Sequence, residues 1–80
     1  MLAVKVFGFW PQVGDKPARI FADDVEVEWQ GGKYSTAMTA ALHHVEQGAV
    51  VHTVHIGETI VSLRHITWDA IIGGRQHGHH

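Results

Sequence analysis

The pattern of apolar and polar positions predicts a β-strand at the N-terminus. Leu2, Val4 and Val6 form one alternating set, and Phe7 and Phe9 belong to the other. Because both sets are largely apolar, we expect a strand that is covered on both sides. Residues 11–17, with their two prolines, a glycine and an aspartate, then predict a loop.

Two hairpins are predicted from glycine-containing turns between alternating segments. The first has its turn at residues 31–32, where positive φ costs glycine little. It pairs Trp29 with Tyr34, Val27 with Thr36 and Val25 with Met38. The second has a type II′ turn at residues 57–58, and it pairs Ile56 with Thr59, Val54 with Val61, His52 with Leu63 and Val50 with His65. Its buried face then carries Val50, Val54, Val61 and Leu63, and the reverse face carries Val51, His55 and Ile60.

Residues 38–47 carry apolar side chains at helical spacing, with His43 and His44 on the opposite, solvated side. Gly48 is positioned as a C-terminal stop. We expect a helix of about two to three turns here, in preference to a strand. Residues 67–72 fit either one helical turn that begins at Thr67 or an extension of the last strand.

These elements predict a mainly β, or α+β, domain over residues 1–72, with one short helix between the third and fourth of five strands. The succession of elements is that of an OB-like barrel. It also fits an SH3-like barrel or a strongly bent antiparallel sheet that carries one helix. Residues 73–80 begin with two glycines and end in HGHH, which predicts a flexible tail that is either native or a cloning remnant.

Composition limits the chemistry that is available to the chain. It has 80 residues, no cysteine and a formal net charge of −2 at pH 7. The absence of cysteine excludes disulfides and thiolate zinc sites, and it is compatible with the cytoplasm. The basic residues are scattered, so nucleic acid is not an expected partner. No signal peptide, membrane span or known catalytic motif is recognisable, which predicts a soluble, cytoplasmic protein that is not an enzyme.

Eight histidines are the unusual feature of the composition. In the second predicted hairpin, His52 and His65 are diagonal neighbours on one face, and either His43 or His44 on the helix can approach them. Three imidazoles and a water form a known zinc site, and imidazole also binds copper and nickel. The competing interpretation, in which these histidines are solvated or hydrogen-bonded at the border of the core, is favoured, so no cofactor is expected.

Aromatic and acidic side chains indicate where a partner is expected to bind. Phe9 and Trp10 precede the proline-rich loop, and Trp68 lies beside the last strand. An exposed tryptophan at a sheet edge is a typical interface anchor. Glu26 and Glu28 share one face of the predicted strand, either as a solvated edge or as a docking surface for a basic partner.

The leading hypothesis is a small non-enzymatic protein-interaction module, such as an adaptor, an accessory protein or a phage-encoded inhibitor. It binds another protein, or copies of itself, through an exposed strand edge and nearby aromatic residues. The first alternative is a metal-binding or pH-responsive protein that uses its histidines. The second is an OB-like domain that binds single-stranded nucleic acid by aromatic stacking.

Overall fold

The computed structural model describes residues 1–68, so the predicted tail at 73–80 and most of the predicted element at 67–72 lie outside the described residues. Four strands and one helix follow one another as β1 (Leu2–Trp10), β2 (Arg19–Val27), α1 (Lys33–Glu46), β3 (Val50–Ile56) and β4 (Thr59–Ser62). All four strands belong to one antiparallel sheet in the order β2-β1-β3-β4. Within the described part of the chain, no helix has the length and apolar character needed to span a membrane.

The core lies between α1 and one face of the sheet. The helix contributes mainly small buried side chains, namely Thr36, Ala37, Ala40, Ala41, His44 and Val45. The sheet and the turn after it contribute larger aliphatic ones, namely Val4, Val6, Val27, Val51, Val54, Val61 and Leu63. Small residues on the helix let it lie close to the valine-covered strands, and the two surfaces then pack densely.

The opposite face of the sheet has no helix over it among residues 1–68. We call this surface the open face. From the pairing register it consists of Ala3, Lys5, Phe7, Phe9, Ile20, Ala22, Asp24, Glu26, Val50, Thr53, His55, Ile60 and Ser62. The expectation that the first strand is covered on both sides is therefore wrong for the described structure: β1 has a strand on each side, but the helix covers only one of its faces.

The second predicted hairpin is confirmed at its turn. Val54 pairs with Val61 and Ile56 with Thr59. A type II′ turn requires a positive φ at its first central residue only. Gly57 meets this requirement with a φ of 59°, and the φ of Glu58 is not positive. The pairing does not extend as far as predicted, because β4 ends at Ser62 and His65 lies in the turn that follows.

The first predicted hairpin is wrong, because β2 pairs with β1 and residues 33–46 are helical. Alternation over residues 34–36 is too short to outweigh the helical preference of the alanines that follow. The start of the helix is fixed by Thr36, whose hydroxyl donates to the Gly32 carbonyl (2.7 Å) and accepts from the Gln30 N–H (2.9 Å). The predicted partners Trp29 and Tyr34 are both exposed, by 56% and 51%.

At the level of fold class, the prediction of a mainly β domain with one helix is confirmed. Within residues 1–68 the sheet has four strands rather than five, because the predicted third strand is the first part of α1, and the helix therefore lies between the second and third strands. In this part of the chain the sheet does not close into an OB-like or SH3-like barrel, since β2 and β4 are the two edges of an open sheet.

A β-bulge in the pairing of β1 with β3 changes which side chains of β3 are buried. Phe7 pairs with Thr53, but Gly8 pairs with Val51, so His52 is the extra residue. As a result Val51 is buried and Val50 is 38% exposed. The predicted assignment of Val50 to the buried face and of Val51 to the reverse face is wrong for this reason.

Substitution of Gly8 tests this arrangement. A Cβ atom at Gly8 would overlap the carbonyl oxygen of Val50 and approach Cζ of Phe21 to 2.9 Å. We expect Gly8→Ser to lower the free energy of unfolding by about 1–3 kcal/mol or more, because the β1–β3 backbone contact must open. Urea unfolding followed by circular dichroism measures it.

The matched control is Gly32→Ser, where a Cβ atom has no neighbour within 4 Å. Gly32 is the extended N-cap residue of α1, and serine is favoured at that position, so no loss of stability is expected. Equal losses in the two variants would contradict the close approach at Gly8.

Candidate functional site

The side chains of the open face form rows across the sheet that differ in polarity. The row nearest the loop at 11–18 is apolar and contains Ile20, Phe9 and Val50. The next row contains Ala22, Phe7, Thr53 and Ser62, and the third contains Asp24, Lys5, His55 and Ile60. Glu26 lies beyond it, opposite Ala3. The open face therefore has an apolar end near the loop and a charged end away from it.

Exposure of aliphatic side chains is the main physical property of the open face. Ile20 on β2 is 90% exposed and Ile60 on β4 is 66% exposed, at diagonally opposite corners. Between them Phe7 and Phe9 are half-buried. Complete burial of one exposed isoleucine side chain lowers the free energy by roughly 1.5–3 kcal/mol. Contact with another apolar surface would therefore stabilise the open face.

The polar groups of the open face interact only weakly with one another. Lys5 Nζ lies 3.7 Å from Asp24 Oδ1, and both side chains are well exposed (48% and 83%). Such a solvated pair contributes little to stability. The imidazole of His55 packs against the ring of Phe7, with 4.4 Å between their centroids and 49° between their planes. The centre of the face thus presents two tilted rings, and Ile20 and Ile60 lie at its corners.

A second group of aromatic side chains lies on the helix-covered side of the sheet, around His44. His44 is only 8% exposed, and its ring stacks on Phe21 with 5.0 Å between centroids and 11° between planes. Trp10 completes the group, with its ring centroid 5.5 Å from that of Phe21 and 6.1 Å from that of His44. The predicted placement of His44 on a solvated helix surface is therefore wrong, whereas its neighbour His43 is exposed.

The buried imidazole of His44 is held by a carboxylate. Its Nε2 lies 2.8 Å from Oδ2 of Asp23 on β2. Because an ionised carboxylate only accepts hydrogen bonds, Nε2 carries the proton in this contact. Its Nδ1 is buried and has no partner among residues 1–68. The contact ties the last turn of α1 to the middle of the edge strand β2.

The other predicted metal ligands are dispersed. His52 bonds through Nδ1 to the Thr53 hydroxyl (2.8 Å), His43 contacts the Gln47 amide (3.0 Å), and His65 meets the ring of Tyr34 edge-on at 6.3 Å. Among the described residues, no group of three or more histidine, aspartate or glutamate side chains is arranged to hold a metal ion. The ladder that was to bring His52 and His65 together ends before His65.

The predicted interface residues lie on different surfaces. Phe9 and Glu26 belong to the open face, whereas Trp10 points to the helix-covered side and contacts His44. Glu28 follows the end of β2 and is exposed. Trp68 is half-buried against the core, where its indole N–H donates to the Val51 carbonyl at 3.4 Å. Phe9 and Trp10 thus do not form one patch.

The residues that dominate the open face were not recognisable as a site from the sequence. Ile20, Ile60 and Phe7 have the alternation that a buried strand also shows, and only the position of α1 determines which set is exposed. Asp23 belongs to an acidic run, and its contact with His44 spans 21 positions along the chain. The one feature of the sequence that pointed to this contact was a histidine among the alanines of an amphipathic helix.

Comparison of the chain with protein-family models, with curated proteins and with solved structures finds no match. Function is therefore inferred from the side chains and their arrangement.

Removal of the Asp23 carboxylate tests the role of the His44 contact. We expect Asp23→Ala to lower the free energy of unfolding by about 1–2 kcal/mol, because Nε2 of a buried imidazole loses its acceptor. The neighbouring Asp24→Ala is a matched control on the same strand and is expected to change stability by less than about 0.5 kcal/mol. Urea unfolding measures both, and similar effects would show that the His44 contact contributes nothing specific.

Proposed function

We propose that this chain is a non-enzymatic protein-interaction module and that the open face is its binding surface. The observation that carries the proposal is the exposure of Ile20 (90%) and Ile60 (66%) on a face that also presents Phe7 and Phe9. Large apolar side chains that lie exposed on one face of a small domain commonly mark a protein-interaction site. Aromatic side chains in the middle of the patch are typical of interface cores.

The open face supports this function better than the strand edges do. The edge strand β2 carries Asp23, Asp24 and Glu26, and charges on an edge oppose the addition of another strand. The other edge, β4, is only four residues long. We therefore place the binding surface on the face of the sheet, with the acidic residues of β2 at its border.

The two alternatives have less support. The only lysine or arginine of the open face is Lys5, which Asp24 accompanies, and Glu26 adds a further negative charge. A surface with this charge repels phosphates, so stacking of nucleic-acid bases on Phe7 and Phe9 would lack electrostatic support. The metal alternative lacks a gathered ligand set among residues 1–68. A cytoplasmic setting is part of the proposal, supported by the absence of cysteine.

Site-specific photo-crosslinking in cells that naturally express the chain tests the proposal. A photoreactive phenylalanine analogue is placed at position 20 or 60 on the open face, or at position 13 as the control. Val13 is similarly exposed (69%) but lies in the loop between β1 and β2. We expect protein adducts at positions 20 and 60, several-fold above those at position 13. Equal or negligible adducts at all three positions would contradict the proposal.

A further inference from the structure

We infer that a small pocket between the loop at residues 11–18 and the C-terminal end of α1 binds a carboxylate that is attached to one aromatic ring. The site goes beyond the proposed function, because it lies on the helix-covered side of the sheet and shares no residue with the open face. Three features point to this ligand: the lining of the pocket, two cations without a counter-charge, and walls that are fixed before a ligand binds.

The lining of the pocket changes from apolar at its floor to cationic at its mouth. Trp10 and Pro11 are half-buried, and Pro17 adds a second pyrrolidine ring. Lys16 and Arg19 are exposed. Arg19 pairs with Trp10 across β1 and β2, so these two side chains lie on the same side of the sheet. A ligand with an apolar body and a negative head matches this distribution.

The floor of the pocket is held by the aromatic group around His44. The ring of Trp10 lies 5.5 Å from that of Phe21 and 6.1 Å from that of His44, measured between centroids. His44 is in turn held by its hydrogen bond to Asp23. The indole of Trp10 is therefore packed on one side by fixed rings, and its other contacts are with the pocket.

The loop wall of the pocket is also rigid. Val13 and Lys16 exchange two backbone hydrogen bonds, of 3.1 Å and 2.9 Å, which close a tight turn. Gly14 has a φ of 55° in this turn, and the prolines at 11 and 17 restrict the backbone on either side of it. A preformed wall loses little conformational entropy on binding, so a small ligand retains more of its contact energy.

The two cations at the mouth have no counter-charge. Neither Lys16 nor Arg19 forms an ion pair within residues 1–68. Asp15 belongs to the same loop but does not line the pocket, and no other acidic residue among residues 1–68 does. On a chain with a formal net charge of −2, this pocket is thus a local excess of positive charge. The planar fork of an arginine matches a carboxylate with two parallel hydrogen bonds.

The position of the pocket at the end of α1 favours a carboxylate over a phosphate. Phosphate sites commonly use free amides at the positive N-terminal end of a helix. Here the helix ends, and its dipole places partial negative charge at this side. The N–H groups of Gln47 and Gly48 are already bonded to the carbonyls of His44 and Val45, at 3.1 Å and 3.0 Å. A doubly charged phosphate therefore finds no amide cradle, whereas one negative charge is met by the two side-chain cations.

The volume of the pocket limits the apolar body to a single ring. The volume is about 200 Å³. A dry cavity of about 150 Å³ holds benzene, and drug-sized ligands occupy about 300–1,000 Å³. One ring on Trp10 thus fills the floor, and its carboxylate reaches Lys16 and Arg19 at the mouth. A free aromatic acid and the C-terminal aromatic residue of a peptide both supply this chemistry.

A nuclear magnetic resonance titration of the nitrogen-15-labelled full chain at neutral pH tests the site. The ligands are benzoate, uncharged benzyl alcohol and phenyl phosphate. We expect benzoate to shift the indole N–H signal of Trp10 saturably, with a Kd on the order of 1 mM, as is usual for so small a ligand. The indole of Trp29, which is 56% exposed and does not line the pocket, is expected not to shift.

Three results of this titration would overturn the inference. The first is no saturable shift of Trp10 at benzoate concentrations about tenfold above the expected Kd. The second is an equal shift of Trp10 and Trp29, which would indicate unspecific stacking. The third is binding of benzyl alcohol or phenyl phosphate as tightly as benzoate, which would show that the pocket does not select a carboxylate.

Matched variants locate the charge recognition. Each exposed cation contributes a factor of about two to five, so we expect the double variant Lys16→Gln/Arg19→Gln to raise the Kd for benzoate roughly tenfold. Lys33→Gln/Arg64→Gln removes the same charge from exposed residues outside the pocket and is expected to leave Kd unchanged. Circular dichroism confirms that both variants are folded. Equal weakening in both, or none in either, would overturn the inference.

A second pair of ligands distinguishes the two sources of the carboxylate. N-acetylphenylalanine represents the end of a peptide chain, and its amide is the control without the charge. Tighter binding of N-acetylphenylalanine than of benzoate identifies a peptide C-terminus as the ligand, and the reverse identifies a free aromatic acid. Equal binding of N-acetylphenylalanine and its amide would contradict recognition of the carboxylate.

Discussion

Packing of α1 against one face of the sheet is the interaction on which the rest of the structure depends. Alanines at positions 37, 40 and 41 let the helix lie against the valines of the central strands. Residues 1–68 contain one helix and one sheet, so among these residues a helix covers only one face of the sheet. Ile20 and Ile60 lie on the other face and are exposed. A small domain buries a limited fraction of its surface, and apolar side chains that remain outside are available to a partner.

The contact between His44 and Asp23 explains how the helix is held at its C-terminal end. Apolar packing holds α1 along its length, since Ala37, Ala40, Ala41 and Val45 all belong to the core, and the last turn additionally reaches Phe21 and Asp23 of β2. The imidazole meets both, since its ring stacks on Phe21 and its Nε2 donates to the Asp23 carboxylate. The polar pair replaces an aliphatic contact at the border of the core. Because Asp23 lies on the edge strand, the same pair connects the outermost strand to the helix.

The sequence predicted the parts of the fold that depend on local geometry. The turn at Gly57 was predictable because the glycine-first pair and the apolar alternation on both sides agree on one register. The stop at Gly48, which has a φ of 103°, was predictable for a similar reason. The pairing of β2 was not, because Val25 and Val27 are equally suited to a hairpin with the following segment and to the observed ladder with β1. Only the helical conformation of residues 33–37 removes the first option. The bulge at His52 likewise depends on the backbone approach at Gly8, which alternation along one strand does not reveal. Of the residues on the open face, Phe9 and Glu26 were predicted from the sequence as interface residues. The surface that they share depends on where the helix lies.

The face of the sheet opposite α1 has no helix over it in residues 1–68, and the central proposal is that a partner protein covers this face. Carbene footprinting with mass spectrometry, which labels accessible side chains without altering the sequence, tests this claim most directly when the purified chain and the chain in a lysate of the cells that naturally express it are compared. The account predicts that Phe9 and Ile20 are labelled in the purified chain and protected in the lysate, while Trp29 and Tyr34 are labelled equally in both. Undiminished labelling of Phe9 and Ile20 in the lysate would contradict it.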